Sequence, residues 1–365
     1  MNWTEFSHGL LEKCKKKRMP FHATFELTPF CNFQCNMCYI RLNSDQAARQ
    51  GKLLTTEQWI KLADEAKAMG VISLEVTGGE AIIRPDFEML YTYFINRGFL
   101  IILRTNGYAI DNKMLAMLSH WKPYKICVTI YGATDETYQK ICGIRDGFSV
   151  VSKNILALRD AGLTVQVSAT LTVDNIKEQE SMRKWAADNG FQLTFAGMLL
   201  TPIQGTGRSV DHLRIKGAKE EYELNDEMKA IPREVINKDY YMNPFWMCRS
   251  YGAKFTITWD GKMTACNSNP SIWSDPINND VAKAYNDLYQ KLDNIRRPKE
   301  CENCQYIDIC SVCPSMLYSA TGSMEKVNEE VCKYAHRKYK DLLFAKEKYK
   351  KNEIDSMYKC DEGEY

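Results

Sequence analysis

The chain reads Leu27-Thr28-Pro29-Phe30-Cys31-Asn32-Phe33-Gln34-Cys35-Asn36-Met37-Cys38-Tyr39 directly after its first predicted strand. Cys31, Cys35 and Cys38 therefore share one short loop with the spacing C-x3-C-x2-C. Three thiolates on such a loop can bind three irons of a cubane iron-sulfur cluster and leave the fourth iron without a protein ligand. A zinc site would usually need a fourth Cys or His close by, and the five histidines form no pair at ligand spacing. The loop predicts a cluster with one open iron; structural zinc and a cluster of another kind are the alternatives.

Around this loop, short β-branched or aromatic runs alternate with longer stretches of helical period. Six strands are predicted, at His22–Leu27, Ile72–Thr77, Phe99–Arg104, Lys125–Tyr131, Thr164–Leu171 and Gln192–Met198. Five helices are predicted between them, at Thr56–Met69, Pro85–Arg97, Asn112–Trp121, Phe148–Ala161 and Ile176–Asn189. This alternation implies a parallel sheet with right-handed crossovers, whose active groups gather at the carboxyl ends of the strands. Six units are too few for a closed eightfold barrel, so the predicted fold class is α/β with a partial (β/α)6 TIM-like barrel.

The rest of the chain differs in composition. Gly-containing polar sequence follows Thr201, and from Cys248 onward cysteines replace the regular alternation, with one hairpin signal at Asp260-Gly261. A helical pattern rich in Lys and Tyr covers Glu329–Lys351. The predicted organisation is an N-terminal helical segment (1–20), the barrel (21–204), a bridging segment (205–247), a small cysteine-rich domain with a β-hairpin (248–335), and a C-terminal helix and tail (336–365).

Composition sets limits on the partners and the compartment. The 365 residues are 45% apolar, which suffices for a sizeable core, and a formal net charge of +2 gives no broad attraction to nucleic acid or to an anionic membrane. No run of about 18 apolar residues and no secretory h-region is present. Ten of the fourteen cysteines fall into organised groups, and clustered thiols in a reducing compartment bind metal rather than form disulfides. We expect a cytoplasmic protein with neither nucleic acid nor a membrane as its partner.

The cysteine loop and the residues around it resemble the signature of the radical SAM superfamily. A second match, Thr77-Gly78-Gly79-Glu80, follows the second predicted strand, at the end where an α/β barrel binds its ligand. In the family, the amino and carboxylate groups of S-adenosylmethionine (SAM) chelate the open iron of a [4Fe-4S] cluster, and the Gly-Gly-Glu segment holds the methionine amino group. The resemblance therefore implies reductive cleavage of SAM to a 5′-deoxyadenosyl radical, which takes hydrogen from an unactivated carbon.

The resemblance also implies SAM contacts at the later strand ends. Arg145 is expected to bind the SAM carboxylate, because a planar guanidinium can bond to both oxygens. Ser168 is expected near the ribose, and Met37 and Tyr39 near the adenine. The full expected set of SAM-binding residues is Gly78, Gly79, Glu80, Thr129, Arg145, Ser168, Met37 and Tyr39.

The C-terminal cysteines resemble the SPASM extension of radical SAM enzymes that often modify peptides and proteins. The array contains Cys248, Cys266, Cys301, Cys304, Cys310, Cys313 and Cys332. The resemblance implies two auxiliary [4Fe-4S] clusters, and so three clusters in all. Auxiliary cluster I would be bound by Cys248, Cys266 and Cys313, with a fourth ligand that the sequence does not identify. Auxiliary cluster II would be bound by Cys301, Cys304, Cys310 and Cys332. A zinc-ribbon-like site is the alternative.

Auxiliary clusters near a substrate can accept an electron from a substrate radical, which favours an oxidation. We expect a maturase that forms a thioether or carbon-carbon crosslink in a ribosomally synthesised peptide, with a reductant such as flavodoxin or ferredoxin as a partner. The enzyme alternatives are side-chain oxidation of the sulfatase-maturing type and dehydrogenation of a sugar or another small molecule. An iron-sulfur electron carrier and a zinc-binding module are the alternatives without catalysis.

Two features depart from the resembled families. Many peptide maturases carry a leader-binding domain before the first motif, whereas 30 residues precede Cys31, so a separate leader-binding protein is expected for a peptide substrate. Sulfatase-maturing relatives have an acidic general base after the cysteine that corresponds to Cys266, where this chain has Asn267. An amide cannot accept that proton at neutral pH. Peptide crosslinking therefore ranks above sulfatase maturation, and the general base stays unassigned.

Overall fold

The computed structural model of the chain describes residues 3–196, 199, 209–215, 242–245, 248, 251–304, 306–307, 310 and 312–333. The chain divides into two compact units, residues 1–216 with 249–292 and residues 217–248 with 293–365. The domain limits given by the sequence remain predictions. The predicted C-terminal helix and tail, and most of the bridging segment, lie outside the described residues.

The strands are β1 (His22–Glu26), β2 (Ser73–Thr77), β3 (Leu100–Thr105), β4 (Lys125–Ile130), β5 (Val165–Thr170), β6 (Leu193–Ala196), β7 (Lys254–Ile257), β8 (Met263–Thr264) and β9 (Trp273–Ser274). The α-helices are α1 (Trp3–Lys17), α2 (Ser44–Gln50), α3 (Thr56–Ala68), α4 (Phe87–Asn96), α5 (Asn112–His120), α6 (Asp135–Cys142), α7 (Gly147–Asp160), α8 (Gln179–Asp188), α9 (Val281–Asp293) and α10 (Pro314–Thr321). Short 3-10 helices lie at Ala81–Ile83, Ile176–Glu178, Asp211–Leu213 and Lys299–Asn303.

All nine strands form one sheet in the order β6-β5-β4-β3-β2-β1-β7-β8-β9. The strands β1 to β6 are parallel to their neighbours, and helices connect them, so the predicted partial α/β barrel is confirmed. The sheet is open, with β6 and β9 at its two edges.

The predicted hairpin at Asp260-Gly261 is present, but its first strand continues the barrel sheet. The strand β7 pairs in parallel with β1, with Lys254 opposite His22, and β8 and β9 then follow antiparallel. The hairpin thus belongs to the first unit. Local sequence patterns could not reveal this pairing, because most of the barrel lies between β1 and β7 in the sequence.

The two faces of the sheet differ in chemistry. Side chains that point toward the helices are apolar and buried, as shown by Phe25, whose ring packs against Trp59 of α3 at 5.0 Å and Phe94 of α4 at 5.8 Å between centroids. Because successive strand residues point to opposite faces, polar residues share the other face. We call this the inner face; its polar members include His22, Thr24, Glu26, Ser73, Glu75, Thr77, Arg104, Lys125, Cys127, Thr129, Gln166, Ser168, Lys254 and Thr256.

None of the helices in the described part of the chain has both the length and the apolar character that crossing a lipid bilayer requires.

Candidate active site

The cysteine loop follows β1 and is held on two sides. On one side, Leu27 donates its backbone N–H to Thr77 O of β2 at 2.8 Å. On the other side, the last residues of α6 accept two bonds from the loop: Gln34 N to Cys142 O at 2.8 Å and Asn36 N to Ile141 O at 3.0 Å. These bonds satisfy carbonyl groups that a helix C-terminus leaves free. The short helix α6, which was not among the predicted helices, therefore positions Cys35.

The three thiols of this loop lie close enough to influence one another. Burial raises the pKa of Cys31 to about 12, and the nearby Glu80, Cys35 and Cys38 act in the same direction. Backbone amides donate to two of the sulfurs, Phe33 N to Cys31 Sγ and Arg41 N to Cys38 Sγ, both at 3.3 Å. Amide donors of this kind stabilise thiolate ligands of a metal cluster.

Cys142 is a fourth thiol at this loop. Along the sequence it stands apart from the cysteine groups, yet it is the last residue of α6 and is fully buried. Its contact with Cys35 is the main reason that the pKa of Cys35 falls below its ordinary value, although burial of Cys35 acts in the opposite direction. The Tyr131 hydroxyl bonds to Cys35 with the same effect. Only the sequence position of Cys142 at the end of a helix-like run, Thr134 to Gly143, could have indicated this placement.

The donor set fits an iron-sulfur cluster. Within the described residues, no three His, Cys, Asp or Glu side chains converge on a point that a single metal ion could occupy. A cubane makes a different demand, since each thiolate binds its own iron. Three mutually close thiols, two of which accept backbone N–H bonds, meet that demand.

The Gly-Gly-Glu turn packs directly against the backbone of the cysteine loop. Gly79 N donates to Thr28 O at 2.6 Å, and Glu80 N donates to Phe30 O at 2.8 Å. A Cβ on Gly78 would lie 2.5 Å from Thr28 O, and a Cβ on Gly79 would lie 2.3 Å from Phe30 O; Gly78 also has a φ of +146°. The sequence suggested close approach to a ligand as the reason for two glycines. The structure adds a second reason, which is that no side chain fits between the turn and the loop.

The Glu80 side chain turns inward and links the turn to β3. Glu80 is 1% exposed, and its carboxyl group accepts bonds from Asn106 N at 2.7 Å, Thr105 Oγ1 at 3.0 Å and Ile82 N at 3.4 Å. Burial raises the pKa of Glu80 to about 7, against these stabilising bonds. Asn106 in turn donates from Nδ2 to Asn32 Oδ1 of the cysteine loop at 2.7 Å.

The other expected SAM contacts are only partly brought together. Thr129 and Ser168 lie opposite each other on β4 and β5, with 3.5 Å between their hydroxyl oxygens. Met37 is buried in the cysteine loop. Arg145 lies exposed between α6 and α7, and among the described residues no hydrogen bond joins it to Thr129 or Ser168.

Tyr39 belongs to a polar network that the sequence did not reveal. Its hydroxyl donates to Glu26 Oε1 at 3.0 Å and accepts from Asn267 Nδ2 at 3.2 Å. Glu26 is fully buried at the carboxyl end of β1. The bond from Asn267 thus orients the Tyr39 hydroxyl.

A second anchor of this region is Arg84, which follows the Gly-Gly-Glu turn. Its guanidinium pairs with Asp86 Oδ1 at 2.5 Å and donates to Leu27 O at 2.7 Å and Leu54 O at 2.8 Å. The side chain is 9% exposed. It therefore ties the end of β1, just before the cysteine loop, to the segment before α3.

In the second unit, four of the C-terminal cysteines are close together. Burial raises the pKa of Cys301 to about 11, and the nearby Cys310, Cys304 and Cys332 add to this rise. The guanidinium of Arg297, which is 3% exposed, donates from Nη1 to Cys310 Sγ at 3.4 Å. Of the other three C-terminal cysteines, Cys248 and Cys313 belong to the second unit and Cys266 to the first.

Comparisons with known proteins agree with this site. Residues 25–186 match the Radical SAM superfamily. The sequence is 25% identical to the antilisterial bacteriocin subtilosin biosynthesis protein AlbA of Bacillus subtilis, over 87% of this chain and 71% of AlbA. It is 24% identical to the AdoMet-dependent heme synthase of Methanosarcina barkeri, over 83% of this chain and 93% of that protein.

The fold is similar to that of Streptococcus suis SuiB bound to S-adenosylmethionine. The TM-score is 0.65 at 17% sequence identity, over 88% of this chain and 80% of SuiB. SuiB has also been solved bound to the precursor peptide SuiA. The family match spans both the cysteine loop and the Gly-Gly-Glu turn, and these two motifs are bonded to each other at one edge of a partial barrel. Residues 25–186 therefore form a domain of the radical SAM superfamily, a family whose cofactors are a [4Fe-4S] cluster and S-adenosylmethionine.

Proposed function

We propose that this chain is a radical SAM enzyme that oxidatively modifies a ribosomally synthesised peptide, by forming a thioether or carbon-carbon crosslink. The observation that carries the proposal is the bonding of the cysteine loop to the Gly-Gly-Glu turn through Gly79 N and Glu80 N. These bonds bring the three-cysteine loop and the Gly-Gly-Glu turn side by side at the carboxyl ends of β1 and β2, where an α/β barrel carries its active site. This placement supports the proposal that the loop binds a cluster and that the turn binds SAM.

In this proposal Cys31, Cys35 and Cys38 hold the first cluster, and the Gly-Gly-Glu turn holds the methionine end of SAM. When bound, these cofactors supply a 5′-deoxyadenosyl radical that removes a hydrogen atom from the substrate. The protein's part is to position them. Glu80 belongs to the expected SAM-binding set, and its bonds to Thr105 and Asn106 would keep the turn ordered. Thr129 and Ser168 present hydroxyl groups on the inner face and would bond to SAM.

Two further clusters are part of the proposal. Cys301, Cys304, Cys310 and Cys332 would hold auxiliary cluster II, and Cys248, Cys266 and Cys313 would hold auxiliary cluster I. The buried Arg297 supports the first assignment, because a guanidinium removed from water requires anionic partners, and four thiolates would supply the negative charge. Oxidation of a substrate requires a group that takes up the electron left after hydrogen removal, and auxiliary clusters would meet that need.

The peptide substrate is supported by the relatives: AlbA is named for biosynthesis of the bacteriocin subtilosin, and SuiB binds the precursor peptide SuiA. A second candidate is oxidation of a small molecule, since the similarity to a heme synthase covers 93% of that protein. Sulfatase-type oxidation ranks lower, because Asn267 is an amide that already donates to Tyr39. A flavodoxin or ferredoxin would reduce the first cluster, and a separate protein would hold a peptide leader. The protein would act in the cytoplasm, where the reducing environment keeps its many thiols free to bind metal.

The test has two stages. The anaerobically reconstituted chain should contain about 12 irons if three cubanes form, and should release 5′-deoxyadenosine from SAM after reduction. Incubation with short peptides encoded beside this gene should then give a product lighter by two hydrogen atoms for each crosslink. Replacing Cys31, Cys35 and Cys38 by Ala should remove one cluster and all SAM cleavage. Persistent cleavage in that variant would contradict the assignment of the first cluster.

A further inference from the structure

One region of the inner face carries more positive than negative side chains. Arg104 on β3 donates from Nε to Glu75 Oε2 on β2 at 2.8 Å. The two partners are exposed very differently, since the Arg104 side chain is 50% exposed and the Glu75 side chain 9%. Glu75 therefore acts as a buried anchor for Arg104, a side chain that is half exposed and belongs to the inner face.

Two lysines stand near this pair. Lys254 on β7 lies opposite His22, and Lys125 on β4 donates from Nζ to Gln166 Oε1 at 3.0 Å. Although burial opposes it, Arg104 and Lys254 hold the pKa of Glu75 below its ordinary value. Burial, and after it mainly Lys254, lowers the pKa of His22 to about 3, so this imidazole is neutral at pH 7.

The charges on the described strands of this region do not balance. Among the described residues of the inner face, Arg104, Lys125 and Lys254 are three cations, whereas the carboxyl groups are Glu75 and the fully buried Glu26. The excess is local, because the whole chain has a formal charge of only +2. Like charges held together on a partly buried surface are costly, and an anion that binds beside them relieves that cost.

We propose that Arg104, with Lys125 and Lys254 beside it, binds a carboxylate group of the substrate inside the barrel. A carboxylate fits because it is planar and can accept parallel bonds from a guanidinium fork, and Glu75 already fixes the plane of that fork through Nε. The inference deepens the proposed function, on which it rests for the substrate being a peptide: the peptide would carry Asp, Glu or a free C-terminus that reaches the inner face.

The binding test needs no radical chemistry. The reconstituted, SAM-loaded chain in its oxidised state is titrated with N-acetyl-glutamate methylamide and, separately, with N-acetyl-glutamine methylamide, and binding is followed by saturation-transfer NMR. We expect the glutamate compound to bind at least tenfold more tightly, because the two probes differ only in the charge of the side chain. Equal binding of the two probes overturns the proposal.

Variants locate the binding group. Arg104→Gln should abolish the preference for glutamate, and Lys254→Gln, which leaves the pair between Arg104 and Glu75 intact, should reduce it several-fold. Arg97→Gln is the matched control, because Arg97 is 46% exposed and also pairs through Nε, with Asp64 Oδ1 at 2.7 Å, but lies on the outer side of the barrel at the end of α4. Retention of the preference in both Arg104→Gln and Lys254→Gln overturns the assignment.

Two further readouts distinguish binding of a substrate carboxylate from binding of SAM and from the radical reaction. SAM also has a carboxylate, so a loss of SAM affinity in Arg104→Gln with an unchanged preference for glutamate would mean that Arg104 serves SAM, and would overturn the proposal. Failure of the wild-type chain to release 5′-deoxyadenosine would refute the proposed function, whereas the preference for glutamate is measured independently of that reaction.

Discussion

Replacing Gly79 by Ala places a methyl group where the structure has no room. The added Cβ would lie 2.3 Å from Phe30 O and 2.8 Å from Pro29 O. Both are backbone atoms, so no side-chain rotation can relieve the clash. The turn and the cysteine loop would have to separate, which would weaken the bonds from Gly79 N to Thr28 O and from Glu80 N to Phe30 O. Each backbone bond contributes about 1 kcal/mol and overpacking costs about 1–3 kcal/mol, so we expect a loss of about 3–5 kcal/mol.

Thermal unfolding of the cofactor-free chain measures this loss, and a fall of roughly 10 °C in Tm is expected for a domain of this size. The reconstituted variant should also bind SAM more weakly, because the turn that we propose to hold the methionine end has moved. Gly9→Ala is the control: a Cβ there meets no atom within 4 Å, and within α1 it should leave Tm unchanged or slightly higher. A Gly79→Ala protein with wild-type Tm and wild-type SAM affinity would refute the packing argument.

Four further results are expected. The pKa of Glu80 rises from an ordinary 4.5 to about 7 on folding, so between these pH values the folded chain keeps a proton that the unfolded chain loses. The free energy of unfolding should therefore fall by about 3 kcal/mol from pH 4.5 to pH 7. Glu80→Gln should flatten this profile in pH-dependent denaturation. Arg84→Ala should destabilise the chain by about 3–5 kcal/mol in the same assay, because it leaves Asp86 without its buried cation. Cys142→Ala should retain the iron of the first cluster in metal analysis, whereas Cys35→Ala should lose it, since Cys35 is one of the three proposed ligands and Cys142 only contacts it. Cys301→Ala should lower the iron content by about four per chain while SAM-binding affinity stays unchanged.

Most of the barrel could be predicted from the sequence because its signals are local. A strand such as Lys125–Ile130 is recognised from alternation over a few residues. A helix such as α3 is recognised from its start, where Thr55 and Gln58 form a capping box. The short helix α6 was missed, although Thr134 caps its start and Gly143 ends it with a φ of 73°, because eight residues give little periodicity. The pairing of β7 with β1 was missed for a different reason, which is that nothing local encodes a parallel partner.

The candidate site divides in the same way. The C-x3-C-x2-C loop and the Gly-Gly-Glu turn are each contiguous, so their chemistry is visible in the sequence. The contact of Cys142 with Cys35 and the network of Tyr39, Glu26 and Asn267 each join distant segments. The positive region of the inner face likewise depends on the strand register. A lysine on a strand cannot be assigned to a charged cluster from the sequence, because its neighbours on the adjacent strands are unknown.

If the cysteine loop binds the cluster and the Gly-Gly-Glu turn binds SAM, as we propose, the bonds at the carboxyl edge of the barrel couple the two binding events energetically. The cysteine loop accepts bonds from the Gly-Gly-Glu turn, the carboxyl group of Glu80 accepts from Asn106, and the Asn106 side chain returns to Asn32 in the cysteine loop. This circuit joins the ends of β1, β2 and β3, so none of the three can be displaced without breaking a bond to another. A cluster that orders the loop therefore also orders the turn. SAM then binds to a turn that is already ordered, so the entropy cost of ordering it no longer reduces the affinity for SAM. Weaker SAM binding in variants of Asn32 or Asn106 would thus be an expected consequence of the circuit, even if neither side chain touches the nucleotide.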